Sequence, residues 1–135
     1  KERLKKVRPL KLTSPIDSQI SYLYKKIIRC YIDGSFEASC VLCRAISEFL
    51  IKEHIKKKGY GHLLKGKEED TTKMSLPRII KQHKLLTRKT IGIYYKIMER
   101  ANNILHEKDV KTEDIHALTS IELLQSFIEE FPKIE

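Results

Sequence analysis

The chain has no tryptophan, five glycines and four prolines in 135 residues, so turn signals are sparse and long elements are expected. No stretch approaches eighteen uninterrupted apolar residues, which excludes a membrane-spanning helix from this segment. No charged-then-apolar leader opens it, so no signal peptide is expected here either. Also absent are a glycine-rich phosphate loop, a GxSxG elbow, an HExxH pair and carboxylates at metal-ligand spacing. No metal and no cofactor is therefore expected. Cysteine is scarce and odd in number: Cys30, Cys40 and Cys43. That count fits reduced, buried thiols in a cytoplasmic protein. "CVLC" invites a redox or zinc reading. A redox dithiol wants a strand running into a helix start, and zinc wants a second ligand pair. "FEASCVLCRAISEFL" offers neither, so core packing is the expectation.

What the chain does have is positive charge, a formal +9, unevenly spread. "KERLKKVRPLK" holds six basic residues against one acid, and "RIIKQHKLLTRK" holds Arg78, Lys81, Lys84, Arg88 and Lys89 with no acid. From Thr112 onward the balance reverses, with six acids against Lys133. Basic surface of this kind attracts polyanions and speeds their encounter, although a lysine-rich solvated face looks the same in sequence.

Apolar spacing is helical almost throughout, which predicts an all-α domain. "SPID" opens the first helix, with Ser14 as N-cap, Pro15 at the first helical position and Asp17 in the first turn. Its stripe is Ile16, Ile20, Leu23, Ile27 and Tyr31, and Asp33-Gly34 stops it. Ser35 caps a second helix with Phe36, Val41, Ala45, Phe49 and Leu50 as its core face, ending at "KKKGYG". Gly59 to Lys73 reads as a loop with one turn near Leu63-Leu64, and Ser75 and Pro77 start a short helix. A longer helix runs from about Thr90 through His106 on Ile91, Tyr94, Ile97, Met98, Ala101 and Leu105. Thr112 caps the last helix, whose core face is Ile115, Leu118, Ile121, Leu124, Ile128 and Phe131, and Pro132 ends it. The economical architecture is a bundle of four long helices plus one short helix over residues 14–132. It is preceded by a basic N-terminal segment or linker over 1–13 and followed by a tail over 133–135.

The polar stretch "ERANNILHEKD" sets Arg100, Asn102, Asn103 and His106 on one helix. Steps of three and four are neighbours on a helix surface, so either Asn can reach His106 and Asn103 can reach Arg100. Arg100 and His106 stand roughly 120° apart around the axis, so one helix alone makes a loose site. Two such helices about a two-fold axis would bring two Arg and two His into one cleft. Metal-free RNA cleavage needs these residue types. A base takes the 2′-OH proton, an acid serves the leaving oxygen, and a planar cation holds the phosphorane charge. His62 and His83 read as solvent-facing. Spacing alone favours the plainer arrangement, with Arg100 paired to a nearby acid and Asn103 and His106 simply exposed.

"YIDGSFEASCVLCRAISEFL" together with "ERANNILHEKDVKTEDIHALTSIELLQSFIEEFP" resembles the HEPN superfamily (higher eukaryotes and prokaryotes nucleotide-binding). The nearest branch is domain-of-unknown-function family 4145, often attached to restriction-enzyme subunits and other phage-defence proteins. The family's "y..g.y.aa....R..lE" helix is met by Tyr31, Gly34, Phe36, Ala38, Arg44 and Glu48, with Ser47 where Leu is commoner. Its "GN..aH" helix end is met by Asn102 and His106, with Ala101 in place of Gly and intervening after Arg100. The resemblance implies a four- to five-helical, usually dimeric domain. Its catalytic members are metal-independent ribonucleases carrying Arg, a short spacer, then His.

By that resemblance Arg100 would stabilise the phosphorane, His106 would be acid and base, and Asn102 would position the phosphate. Glu48 would orient Arg or His. Arg78, Lys81, Lys84, Arg88 and Lys89, with "KERLKK", would hold an RNA backbone. The expectation is a homodimeric endoribonuclease or RNA-binding module in the cytoplasm, with no membrane partner. Two alternatives stay open at this point. One is a non-catalytic dimerisation or docking domain accessory to a restriction enzyme, nuclease or helicase. The other is a nucleotide sensor using the same cleft.

Overall fold

A computed structural model of the protein describes residues 2–11, 17–64, 75–106 and 111–131, with the side chains of Leu105 and His106 outside the description. The described residues form helices α1 (Glu2–Lys6), α2 (Ser18–Ile32), α3 (Phe36–Lys57), α4 (Leu76–His83), α5 (Arg88–His106) and α6 (Asp114–Glu130), plus a 3-10 turn at Gly61–Leu63. The all-α class follows, and among the described residues no helix is long and apolar enough to cross a membrane.

Local chemistry sets the helix ends. Asp17 is the observed cap of α2: its carboxylate accepts from the Gln19 N–H at 2.7 Å, so it precedes the helix and does not sit in its first turn. Ser14, Pro15 and Ile16, expected to open this helix, lie outside the described residues. Gly34 ends α2 at φ +84°, with Ser35 N–H donating to the Cys30 carbonyl and Gly34 N–H to that of Tyr31. Gly59 ends α3 the same way at φ +90°, with Tyr60 N–H donating to the Ile55 carbonyl. Only glycine takes this left-handed backbone without strain, so both stops are written in the sequence. At the end of α4 the left-handed residue is Lys84, φ 51°, where a glycine would be ordinary. The last helix is capped by Glu113 and not by Thr112: Glu113 N–H donates to His116 Nδ1 at 3.0 Å, closing a capping box. Pro132, expected to end it, lies outside the described residues.

α2, α3, α5 and α6 alternate in direction as an up-down-up-down bundle. Tyr31 meets Asp114 and Tyr24 meets Gln125, so α2 and α6 are antiparallel. Arg44 meets Asn102 across α3 and α5, and Lys89 meets Glu130 across α5 and α6. α3 and α6 run parallel as the close central pair, with α2 and α5 on opposite sides of it. Ser39, Cys40, Ser47 and Ser120 let those helices approach. Ser120 Oγ donates to Cys40 Sγ at 3.4 Å, and Ser39 Oγ to the Ile27 carbonyl at 3.1 Å.

Central position explains where the expected stripes miss. α3 is covered by α2, α5, α6 and α4, so its buried residues wrap around it: Cys40, Cys43, Ile46, Ile51, His54 and Ile55. Ala45, expected inside, is exposed, and Phe36, Val41, Phe49 and Leu50 are half-buried. On α6 the expected stripe holds at Ile121, Leu124 and Ile128, while the successive steps of three back from Leu124 drift off the core side, leaving Leu118 half-buried and Ile115 59% exposed. Ala117 and Phe127 complete the buried face that Ile121, Leu124 and Ile128 form.

The N-terminal residues are clamped to the bundle. Arg3 Nε and Lys6 Nζ stand 3.4 and 3.6 Å from Asp114, and the Arg8 guanidinium grips Glu129 through two bonds of 2.7 and 2.8 Å. Buried Gln125 donates to the Arg8 carbonyl. Asp114 and Glu129 lie about 22 Å apart along α6, so the segment runs lengthwise over that helix as a strap.

Candidate functional site

The expected site residues divide between two flanks of α5. Asn102 faces α3, where its Oδ1 accepts from Arg44 Nη1 at 2.7 Å, while Arg44 Nε donates to Glu48 Oε1 at 2.6 Å. Glu48 and Asn102, from separate helices, therefore meet on one guanidinium. Side chains at both ends of the Arg44–Glu48 pair are 27% exposed, so the cluster is at the surface yet partly desolvated. Buried Tyr94 sits within its field. Burial pushes the Tyr94 hydroxyl up to about 12, Glu48 adds to that, and Arg44 opposes it.

Arg100 lies two residues before Asn102, which turns it about 160° to the opposite flank. That flank also carries Lys89, whose Nζ meets Glu130 of α6 at 3.0 Å. Arg100 acts electrostatically on Cys40, which is packed against Ser120 of α6. Among the described residues no hydrogen bond or ion pair joins Arg100 to Glu48 or Asn102. Asn103 is exposed. His106 is the last residue of α5, one turn beyond Asn102, and its side chain lies outside the described residues.

The cation beside Glu48 and Asn102 is thus Arg44. Sequence reading noticed it only as a motif residue. The Arg44-to-Glu48 spacing of four was the available signal, but nothing in the sequence ties either to a residue 58 positions away.

Of the basic segment, Arg78, Lys81, Lys84, Arg88 and Lys89 are all exposed. Lys81 Nζ stands over the Tyr95 ring at 5.2 Å from its centroid. Positions 88, 95 and 102 recur every seven residues, a drift of about 20° per step, so Arg88, Tyr95 and Asn102 share one flank of α5. Arg88 and Asn102 are about 21 Å apart along it. The "KERLKK" cations differ: Arg3 and Lys6 are held by Asp114, and Arg3 also donates to the Ile32 carbonyl and covers the Phe36 ring.

The remaining titratable groups read as structure. Burial pushes the Cys43 thiol well up and the Cys40 thiol up, Ser120 and Arg100 opposing the latter, so neither is an activated nucleophile. Among the described residues no group of three or more His, Cys, Asp or Glu is arranged to hold a metal. His54 is buried at the foot of α3, its Nε2 3.1 Å from the Leu85 carbonyl, and burial lowers its pKa. His83 is not a solvent-facing residue: it is half-buried and stacked on Tyr60 at 3.9 Å between centroids. His62 is exposed.

Compared with family models, with curated proteins and with solved structures, the chain gives no match. The site has to be read from its own residues.

Proposed function

We propose that the chain is a HEPN-like module that binds RNA along the α3-facing flank of α5 and cleaves it without a metal, working as a homodimer. The observation that carries this reading is the meeting of Glu48 and Asn102 on Arg44, in line with Arg88 and Tyr95 on the same flank. A guanidinium has five N–H groups, and the bonds to Glu48 and Asn102 use two. A phosphate oxygen can take others, in the planar geometry that suits phosphate. Asn102 positions the phosphate, and Glu48 holds the guanidinium in orientation. His106 is acid and base. Arg100, on the other flank of α5, meets the RNA from the two-fold-related copy of that helix.

The test is single-stranded RNA incubated with the purified chain and EDTA, beside Arg44→Ala, Arg100→Ala and His106→Ala. Cleavage by the parent with cyclic-phosphate ends, lost in His106→Ala, supports the reading; no cleavage by the parent removes the catalytic half of it. A second reading has its own observation. Arg44 already has a carboxylate and an amide as partners, the arrangement of a strut between two helices. On that reading the domain is a non-catalytic dimerisation or docking module accessory to a restriction or other nucleic-acid enzyme. Intact folding and dimerisation without RNA binding would select it.

A further inference from the structure

Gly92 lies in the interior of α5, a position where glycine costs helix stability relative to alanine. The usual reasons for it are missing. Its φ is not positive, and a Cβ built there would meet nothing within 4 Å. Neither backbone conformation nor close packing asks for glycine, so the open space itself is what the residue supplies. It opens beside Tyr95, one turn later on the same face. Helical side chains lean toward the N-terminus of their helix, which is the direction of the turn that contains Gly92, and no Tyr95 atom comes within 4 Å of a Cβ built there. Tyr95 is 37% exposed, and Lys81 covers its ring from α4. From Leu76 to Tyr95 the sequence has no acidic residue, while Arg78, Lys81, Lys84 and Arg88 are exposed. The result is an aromatic ring with empty space alongside it, bordered by cations on its α4 side and by Glu99 one turn further along α5.

We propose that Gly92 and Tyr95 form a stacking shelf for one unpaired base of a single-stranded RNA, with Lys81 and Arg88 holding the flanking phosphates. This deepens the RNA reading above and rests on it. A single strand is the occupant because only an unstacked base offers its face to a side chain, and because the surrounding cations match a continuous phosphate backbone. A duplex keeps its bases stacked on each other and can use the cations alone. The ring and its Lys81 partner suit a base without choosing which one, so the shelf is tolerant of sequence.

Fluorescence anisotropy with the whole chain tests this. The probe is a labelled RNA of about twelve nucleotides, single-stranded or annealed to its complement, in about 50 mM salt. Binding of the single strand is expected to exceed that of the duplex. Tyr95→Ala should weaken single-strand binding by about 5- to 150-fold, and Tyr95→Phe should stay within about twofold of the parent. Gly92→Gln puts a neutral side chain on the shelf while favouring the helix, and should weaken binding with no loss of melting temperature. Parent-like affinity in both Tyr95→Ala and Gly92→Gln overturns the shelf while leaving RNA binding in place. Equal affinity for the duplex overturns the single-strand preference. A parent that binds neither probe overturns the shelf together with the RNA reading beneath it.

Discussion

Arg44 is the residue on which two helices agree. Its planar fork serves a carboxylate one turn ahead on α3 and an amide oxygen on α5, both in charge-assisted bonds shorter than 2.8 Å. With 27% of the side chain exposed, water screens part of this, so the loss from Arg44→Ala is about 1–2 kcal/mol. Arg44→Lys is the sharper comparison. An ammonium keeps the charge but cannot hold two acceptors in the guanidinium geometry, so it should recover less than half of that stability. Urea unfolding of the three proteins measures it, and full rescue by lysine would mean that charge alone matters here. Lys84 illustrates a different situation, a residue held in left-handed backbone that a glycine would adopt without strain.

At the scale of elements the strap is the feature with a pH signature. Asp114 is held below its usual carboxylate value by the Tyr31 hydroxyl, then by Lys6 and Arg3, while burial opposes them. Glu129 is held down first by Arg8, and also by the Lys11 N–H, again against burial. A carboxylate depressed in the folded state contributes stability that is fully present above its unfolded value and disappears as pH falls through the folded one. The gap in melting temperature between the parent and Glu129→Gln should therefore be present near neutrality and close on acidification below about pH 4.5. A gap that stays constant into acid would mean that the Arg8–Glu129 pair does not hold the strap by charge.

This docking was not legible in the sequence, where "KERLKK" reads as cations available to a ligand. The acids that hold them lie more than a hundred residues away. Helix ends were legible where one residue decides the backbone, as at Gly34 and Gly59. The face of α6 was legible at Ile121, Leu124 and Ile128 and missed only at its start, because repeated steps of three carry Ile115 off the core side. That of α3 was narrower in sequence than in the bundle, because cover on several sides leaves no single stripe. Glu48 and Asn102 were named from the resemblance, but Arg44 as their common partner, and Tyr95 beside Gly92, need the packing of α3, α4 and α5 to be seen.

Across the whole molecule, charge is arranged by length. The end of the bundle built from α4, the start of α5 and the foot of α3 is basic on its outer surface. The Arg44 cluster lies toward the other end, joined to it by one flank of α5. An RNA following that flank passes Glu99, an exposed acid between Tyr95 and Asn102. A polyanion neutralised by surface cations releases counterions, so its affinity falls with salt at about 0.7 of a log unit per phosphate contact for a single strand. Replacing both Arg78 and Arg88 by alanine should lower that slope by about 1.4. Glu99→Ala should tighten binding at low salt, because it removes a like charge from the path and is screened as salt rises. These two effects separate a strand lying along the flank from one held only at the basic end. In the second case the double replacement lowers the slope as before, but Glu99→Ala leaves the affinity unchanged. Measuring single-strand affinity for all three proteins over a series of salt concentrations decides between them. A Glu99→Ala protein indistinguishable from the parent at every salt would confine the RNA to the α4 end and separate it from the Arg44 cluster.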